Sequence, residues 1–158
     1  DLMLEHETFL VPTIMAYVLI AEGAGSDLTD EAIENARMAL EYNTVGFREA
    51  LDAGVKIAMG SDAGTAFNDH GRSWRELGYM VEHGMTPMQA IVAATSSAAE
   101  LLGLADQIGT VAVGKRADLI LVDGDPLADM DEIGNVRAVF KDGEQITGNH
   151  SQAGGKHD

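Results

Sequence analysis

Asp62 stands in Gly60-Ser61-Asp62-Ala63-Gly64, directly after the largely apolar run Val55-Lys56-Ile57-Ala58-Met59. A carboxylate at the end of such a strand sits at the sheet edge where α/β folds bind ligands. The flanking glycines leave room for a group close to the backbone. The same carboxylate can instead cap its own turn by accepting backbone N–H groups, and spacing alone leaves both readings open. His70 follows in the polar stretch Asn68-Asp69-His70-Gly71, on the same side of the predicted sheet. An imidazole there can contact substrate or carry a proton; the alternative is a solvated loop histidine. The other histidines, His6, His83, His150 and His157, form no His-x-His or His-x-x-x-His pair. The visible motifs of this chain therefore build no complete metal site. His83 falls at a predicted helix end, where a protonated imidazole suits the dipole. Asp123-Gly124-Asp125-Pro126 lacks the further acidic residues of a calcium loop and reads as a turn.

The elements that position these residues are legible from patterning. Thr8-Phe9-Leu10-Val11 is a short buried strand that stops at Pro12, and Gly23-Ala24-Gly25-Ser26 is loop-like. Thr29 caps a helix whose first turn carries Asp30 and Glu31. Ile33, Ala36, Leu40, Phe47 and Leu51 share one face of that helix, and Gly54 ends it. Val55 to Gly60 is the next strand. Strand, helix, strand makes the two strands parallel neighbours. Ser73-Trp74-Arg75-Glu76, Thr86-Pro87-Met88-Gln89 and Ser97-Ala98-Ala99-Glu100 each have capping-box spacing and predict three helix starts. Gly84 and Gly103 mark helix ends. From Ile108 onward the pattern is β: Thr110-Val113, Ala117-Val122, Val136-Phe140, then Asp142-Gly143 as a two-residue hairpin turn and Glu144-Gln145-Ile146.

The chain has 158 residues, an apolar fraction of 46%, no cysteine and a formal net charge of −16. This composition suits one globular unit with a core. Disulfides and thiolate metal sites are excluded, which fits a cytoplasmic protein. So acidic a surface repels nucleic-acid phosphate and anionic lipid, so neither partner is expected. The apolar run Ile14 to Ala21 is far below the roughly 20 residues that span a bilayer.

Taken together, these residues resemble the amidohydrolase superfamily. Gly54-Val55-Lys56-Ile57-Ala58-Met59-Gly60-Ser61-Asp62-Ala63-Gly64 resembles its eighth barrel strand, and Leu10-Val11-Pro12-Thr13 its seventh. His70-Gly71, Glu76-Leu77, His83-Gly84-Met85-Thr86-Pro87 and Ala94-Thr95 through Gly103 look like the helices that follow. Gly109-Thr110-Val111, Gly114-Lys115-Arg116-Ala117-Asp118-Leu119 and Gly124-Asp125-Pro126 look like the small β domain beside the barrel. The match spans roughly residues 1 to 147 and is similar to the imidazolonepropionase-like and Xaa-Pro dipeptidase (prolidase-like) branch.

The resemblance implies an α/β fold. Residues 1–107 are the C-terminal part of a metal-dependent hydrolase (β/α)8 TIM barrel, 108–147 a β-sandwich segment and 148–158 a disordered tail. It implies one or two divalent metals, typically zinc, at the barrel's C-terminal face. In such enzymes a His-x-His pair on strand one, a carboxylated Lys or Glu on strand four and His on strands five and six hold the metals. Asp62 matches the remaining ligand, which also takes a proton from the attacking water and passes it to the departing nitrogen. Thr13 and His70 become candidate contacts to a small-molecule or dipeptide-like substrate.

Strands one to six have no counterpart here, so this chain alone is expected to be inactive. Two strands cannot close a barrel. The expectation is a segment whose missing N-terminal barrel half, or contacts in a homo-oligomer, covers the open edges. A reading of a different class is a non-catalytic α/β module that works through those edges in assembly.

Overall fold

The computed structural model describes residues 1–23, 28–64 and 67–146. Residues 24–26 of the predicted loop and the predicted tail lie outside the described residues.

Two extended segments meet in parallel at Leu10 and Ile57. Leu10 N–H donates to the Lys56 carbonyl at 2.8 Å, and Ala58 N–H to the Leu10 carbonyl at 3.0 Å. The predicted strands are thus parallel neighbours, but they share one bridge and not a ladder. The next rung would need an N–H from residue 12, and Pro12 has none. On the other side of the second segment, Met59 N–H donates to the carbonyl of Ala93 at 3.0 Å.

After a four-residue helix α1 (Leu2–Glu5), the first segment runs straight into α2 (Ile14–Ala21). No helix was expected there, because the run is apolar on every side and carries no 3.6-residue signal. It is a core helix: Ile14, Met15, Val18 and Ala21 are buried. It packs on α3 (Asp30–Asp52), which begins as predicted, with Thr29 Oγ1 accepting from Ala32 N–H at 3.2 Å. Ala36 and Phe47 are buried on the predicted face, and Leu40 and Leu51 pack against the same core. Gly54, at φ +79°, turns the chain out of the helix, a conformation that favours glycine.

The helical region that follows needs two corrections. Helix α4 (Arg75–Glu82) has no side-chain cap at its own start. Ser73 Oγ donates instead to the His70 carbonyl at 3.0 Å, and Glu76 reaches a different helix. The Thr86 box does form: Thr86 Oγ1 accepts from Gln89 N–H, and Gln89 Oε1 accepts from Thr86 N–H at 2.8 Å. It opens α5 (Pro87–Val92), which continues through a π-helical turn, Ala93–Ser97, into α6 (Ala98–Leu101). Ser97 is itself helical (φ −67°, ψ −40°), so no new helix starts there.

The C-terminal part is a three-stranded antiparallel sheet, ordered β1 (Leu119–Val122), β2 (Val136–Lys141), β3 (Glu144–Ile146). Leu119 faces Phe140, and Lys141 faces Glu144 across the two-residue turn. Asp142 and Gly143 both have positive φ (51° and 82°), the type I′ geometry that matches strand twist. The predicted strand Thr110-Val113 does not form. Val111 and Val113 are 87% and 106% exposed, and among the described residues no strand pairs with them. Lys115 holds this stretch instead, its Nζ donating to the Ala105 carbonyl at 2.5 Å and to Thr110 Oγ1 at 2.6 Å. Met130, buried on the 3-10 turn Met130–Gly134, joins the sheet to α4, and the Trp74 indole lies against Gly134. Among the described residues no helix is long and apolar enough to cross a membrane.

Candidate active site

The two extended segments end in residues with the same unusual backbone. Thr13 has φ +47° and Asp62 has φ +52°. A non-glycine residue pays roughly 1–2 kcal/mol for that left-handed region, and for β-branched Thr13 it is an outlier. Strain of this kind persists only where surrounding structure enforces it, and it concentrates at functional sites. The segments also touch: a Cβ on Gly60 would lie 2.5 Å from Val11 Cγ1. Only glycine permits that approach.

Asn68 holds the Asp62 turn. It is 2% exposed, its Nδ2 donates to the Ser61 carbonyl at 2.5 Å, and its own carbonyl accepts from Gly64 N–H at 2.9 Å. Ser61 Oγ donates to Ser73 Oγ at 3.0 Å, which ties the turn to the start of α4. His70, on the 3-10 turn His70–Arg72, lies over the same turn, with its Nε2 3.2 Å from where a Gly64 Cβ would be. The fold therefore brings exposed His70 to the turn that carries exposed Asp62. Thr13 sits at the end of the neighbouring segment, half-buried, at the N-cap of α2.

Two residues of this region were not singled out for the site from sequence. The local pattern places Asn68 in a polar loop and Glu76 both at capping-box spacing and in the Glu76-Leu77 stretch of the family resemblance, and marks neither for the site. The Glu76 carboxylate accepts from Ile14 N–H at 2.8 Å and Met15 N–H at 2.7 Å. Burial pushes its pKa up to about 7, against the opposing pull of those two N–H groups. No local pattern announces a bond across 62 positions. His83 also departs from expectation. Burial, then the Arg48 guanidinium, holds its imidazole pKa below the usual value, and Nδ1 lies 3.3 Å from Arg48 Nη2. With Nδ1 as acceptor, a neutral ring suits that contact better than a cationic one. Asp125 is the predicted turn residue, its Oδ1 accepting from Leu127 N–H at 3.0 Å.

Among the described residues, no three His, Cys, Asp or Glu side chains converge on one point that could hold a metal ion. From the Asp62 turn the chain offers one carboxylate, exposed, at a turn with glycine on either side. That suits one ligand of a shared site and not a whole one.

The family model for the amidohydrolase family matches residues 1–146. The chain belongs to the amidohydrolase family. This amidohydrolase chain is 42% identical to a structurally characterised Xaa-Pro dipeptidase with methionine bound in its active site. That likeness has a TM-score of 0.84 and covers 94% of this chain and 36% of the other. A prolidase solved in complex with N-methylphosphonate-L-proline is 30% identical, with a TM-score of 0.75, over 92% of this chain and 36% of that one. Ochratoxinase from Aspergillus niger is 30% identical over 99% of this chain and 30% of its own length. The chain thus spans about a third of the length of these relatives. The mixed helical and sheet architecture corresponds to part of their TIM-barrel fold, with the small antiparallel sheet beside it.

Proposed function

We propose that this chain contributes strands seven and eight to a metal-dependent amidohydrolase that cleaves a C–N bond in a small, dipeptide-like substrate. The observation that carries the reading is Asp62: an exposed carboxylate in a left-handed turn at the end of a parallel segment, held by buried Asn68. The names of the dipeptidase and of the proline-phosphonate complex support a peptide-type substrate. Residues 1–107 then belong to the barrel and 108–147 to the small β domain, in a cytoplasmic protein.

Asp62 is the ligand this chain gives to one or two divalent ions, zinc by preference, the other ligands lying outside it. Such an ion supplies an activated water and a polarised scissile carbonyl. The role of the Asp62 carboxylate would be to take a proton from the attacking water and pass it to the departing nitrogen. His70 and Thr13 are the substrate contacts this chain supplies. The remaining barrel strands, or contacts in a homo-oligomer, cover the open edges of the two segments.

The test is Asp62→Asn in the full-length protein, assayed on Xaa-Pro dipeptides. Loss of at least about 100-fold in kcat is expected from removing the proton acceptor. Hydrolysis at the wild-type rate ends the assignment. Elemental analysis of the purified full-length protein is expected to show stoichiometric zinc. Its absence after zinc supplementation favours the non-catalytic module.

A further inference from the structure

Glu76 is fully buried, at 0% exposure, and both its oxygens are used on the first two amides of α2. That helix has no cap of its own. Its N-cap, Thr13, is left-handed (φ +47°, ψ +41°) and its side chain makes no capping bond. A helix entered from such a residue leaves its first N–H groups without local acceptors. Ile14 and Met15 are 0% and 1% exposed, so water cannot take the place of the carboxylate.

A carboxylate is the side chain that fits this task. In its ionised form, which burial delays to about pH 7, its two oxygens serve two adjacent N–H donors at once, and its charge faces the positive end of the helix dipole. A glutamine offers one acceptor, and its NH2 would oppose the second N–H. On the other flank of the corner, Asn43 Nδ2 donates to the Pro12 carbonyl at 3.0 Å. Pro12-Thr13-Ile14 is thus held from α3 on one side and from α4 on the other. The stretch 68–76 moreover reaches both strand ends, Asn68 binding Ser61 and Gly64 while Glu76 binds Ile14 and Met15.

We infer that Glu76 is a positioning residue: its buried carboxylate fixes the left-handed Thr13 corner relative to the Asp62 turn, and so sets substrate binding without touching substrate. The inference rests on the hydrolase reading, with Thr13 as a substrate contact. Small displacements of a substrate-positioning group cost binding or rate out of proportion to their size.

The experiment compares Glu76→Gln, Thr13→Ala and the double variant in the full-length enzyme, on an Xaa-Pro dipeptide that the wild type cleaves. Glu76→Gln is expected to raise KM about tenfold while kcat changes less than about threefold, the pattern of lost uniform binding. Because Glu76 acts through Thr13, the double variant's KM is expected to match that of Thr13→Ala alone. Glu76→Asp, which keeps the charge one methylene short, is expected to fall between wild type and Glu76→Gln, and it carries the test if Glu76→Gln does not fold. A folded Glu76 variant with wild-type KM, a loss confined to kcat, or additive effects in the double variant each overturn the inference. Wild-type enzyme that cleaves no dipeptide sinks the hydrolase reading itself, a separate result.

Discussion

Asn68 donates its side-chain amide to the carbonyl of Ser61 at 2.5 Å and closes the turn that presents Asp62. The bond is part-buried, although Asn68 itself is 2% exposed, and among the described residues its Oδ1 has no hydrogen-bond partner. Removing the donor leaves the Ser61 carbonyl short of a partner, at a cost of about 1–3 kcal/mol. Asn68→Ala is therefore expected to lower the denaturation midpoint and to reduce kcat, since the Asp62 turn loses its clamp. Asn68→Ala with unchanged stability and unchanged kcat would show that the turn holds itself.

Gly60 and Val11 make a second test of the same geometry. The missing Cβ at Gly60 is what lets the two segments approach, with Val11 Cγ1 occupying its place. Val is stiff at χ1 and cannot swing clear freely. Gly60→Ala is expected to destabilise by about 1–3 kcal/mol through overpacking. Adding Val11→Ala opens the space, so the double variant is expected to recover most of that loss in urea titrations. A double variant weaker than the sum of the two changes contradicts the contact.

Glu76 predicts a pH dependence of stability with a definite sign. Its pKa is raised from 4.5 to about 7 because burial disfavours the charged form. The folded state therefore binds its proton more tightly than the unfolded chain. This contribution is fully present below pH 4.5 and is lost as pH rises toward 7, for a total of about 3 kcal/mol. Glu76→Gln cannot ionise, so its unfolding free energy is expected to fall less steeply than the wild type's across that window. Parallel curves from pH 5 to 8 would mean that the two N–H groups outweigh burial.

What the sequence determined by itself is what neighbours in the chain decide. Thr29 and Thr86 cap helices, Gly54 ends one, and Asp142-Gly143 turns a hairpin, because each rests on bonds spanning a few residues. Asp62 and His70 were legible as candidates because a polar residue after an apolar strand has few places to go, and Thr13 through its resemblance to a seventh barrel strand.

Tertiary structure decided what depends on partners far along the chain. Ile14–Ala21 is a helix because other helices bury it, not because its pattern has a helical period. Thr110-Val113 has strand chemistry but pairs with no strand among the described residues, so it stays irregular. Ser73 and Glu76 have capping-box spacing, yet the carboxylate does better 62 positions away, on two buried amides with no other acceptor. A local cap on a solvated helix end competes with water. A distant cap in a dry corner does not, and that difference in desolvation is what the order of residues alone does not reveal.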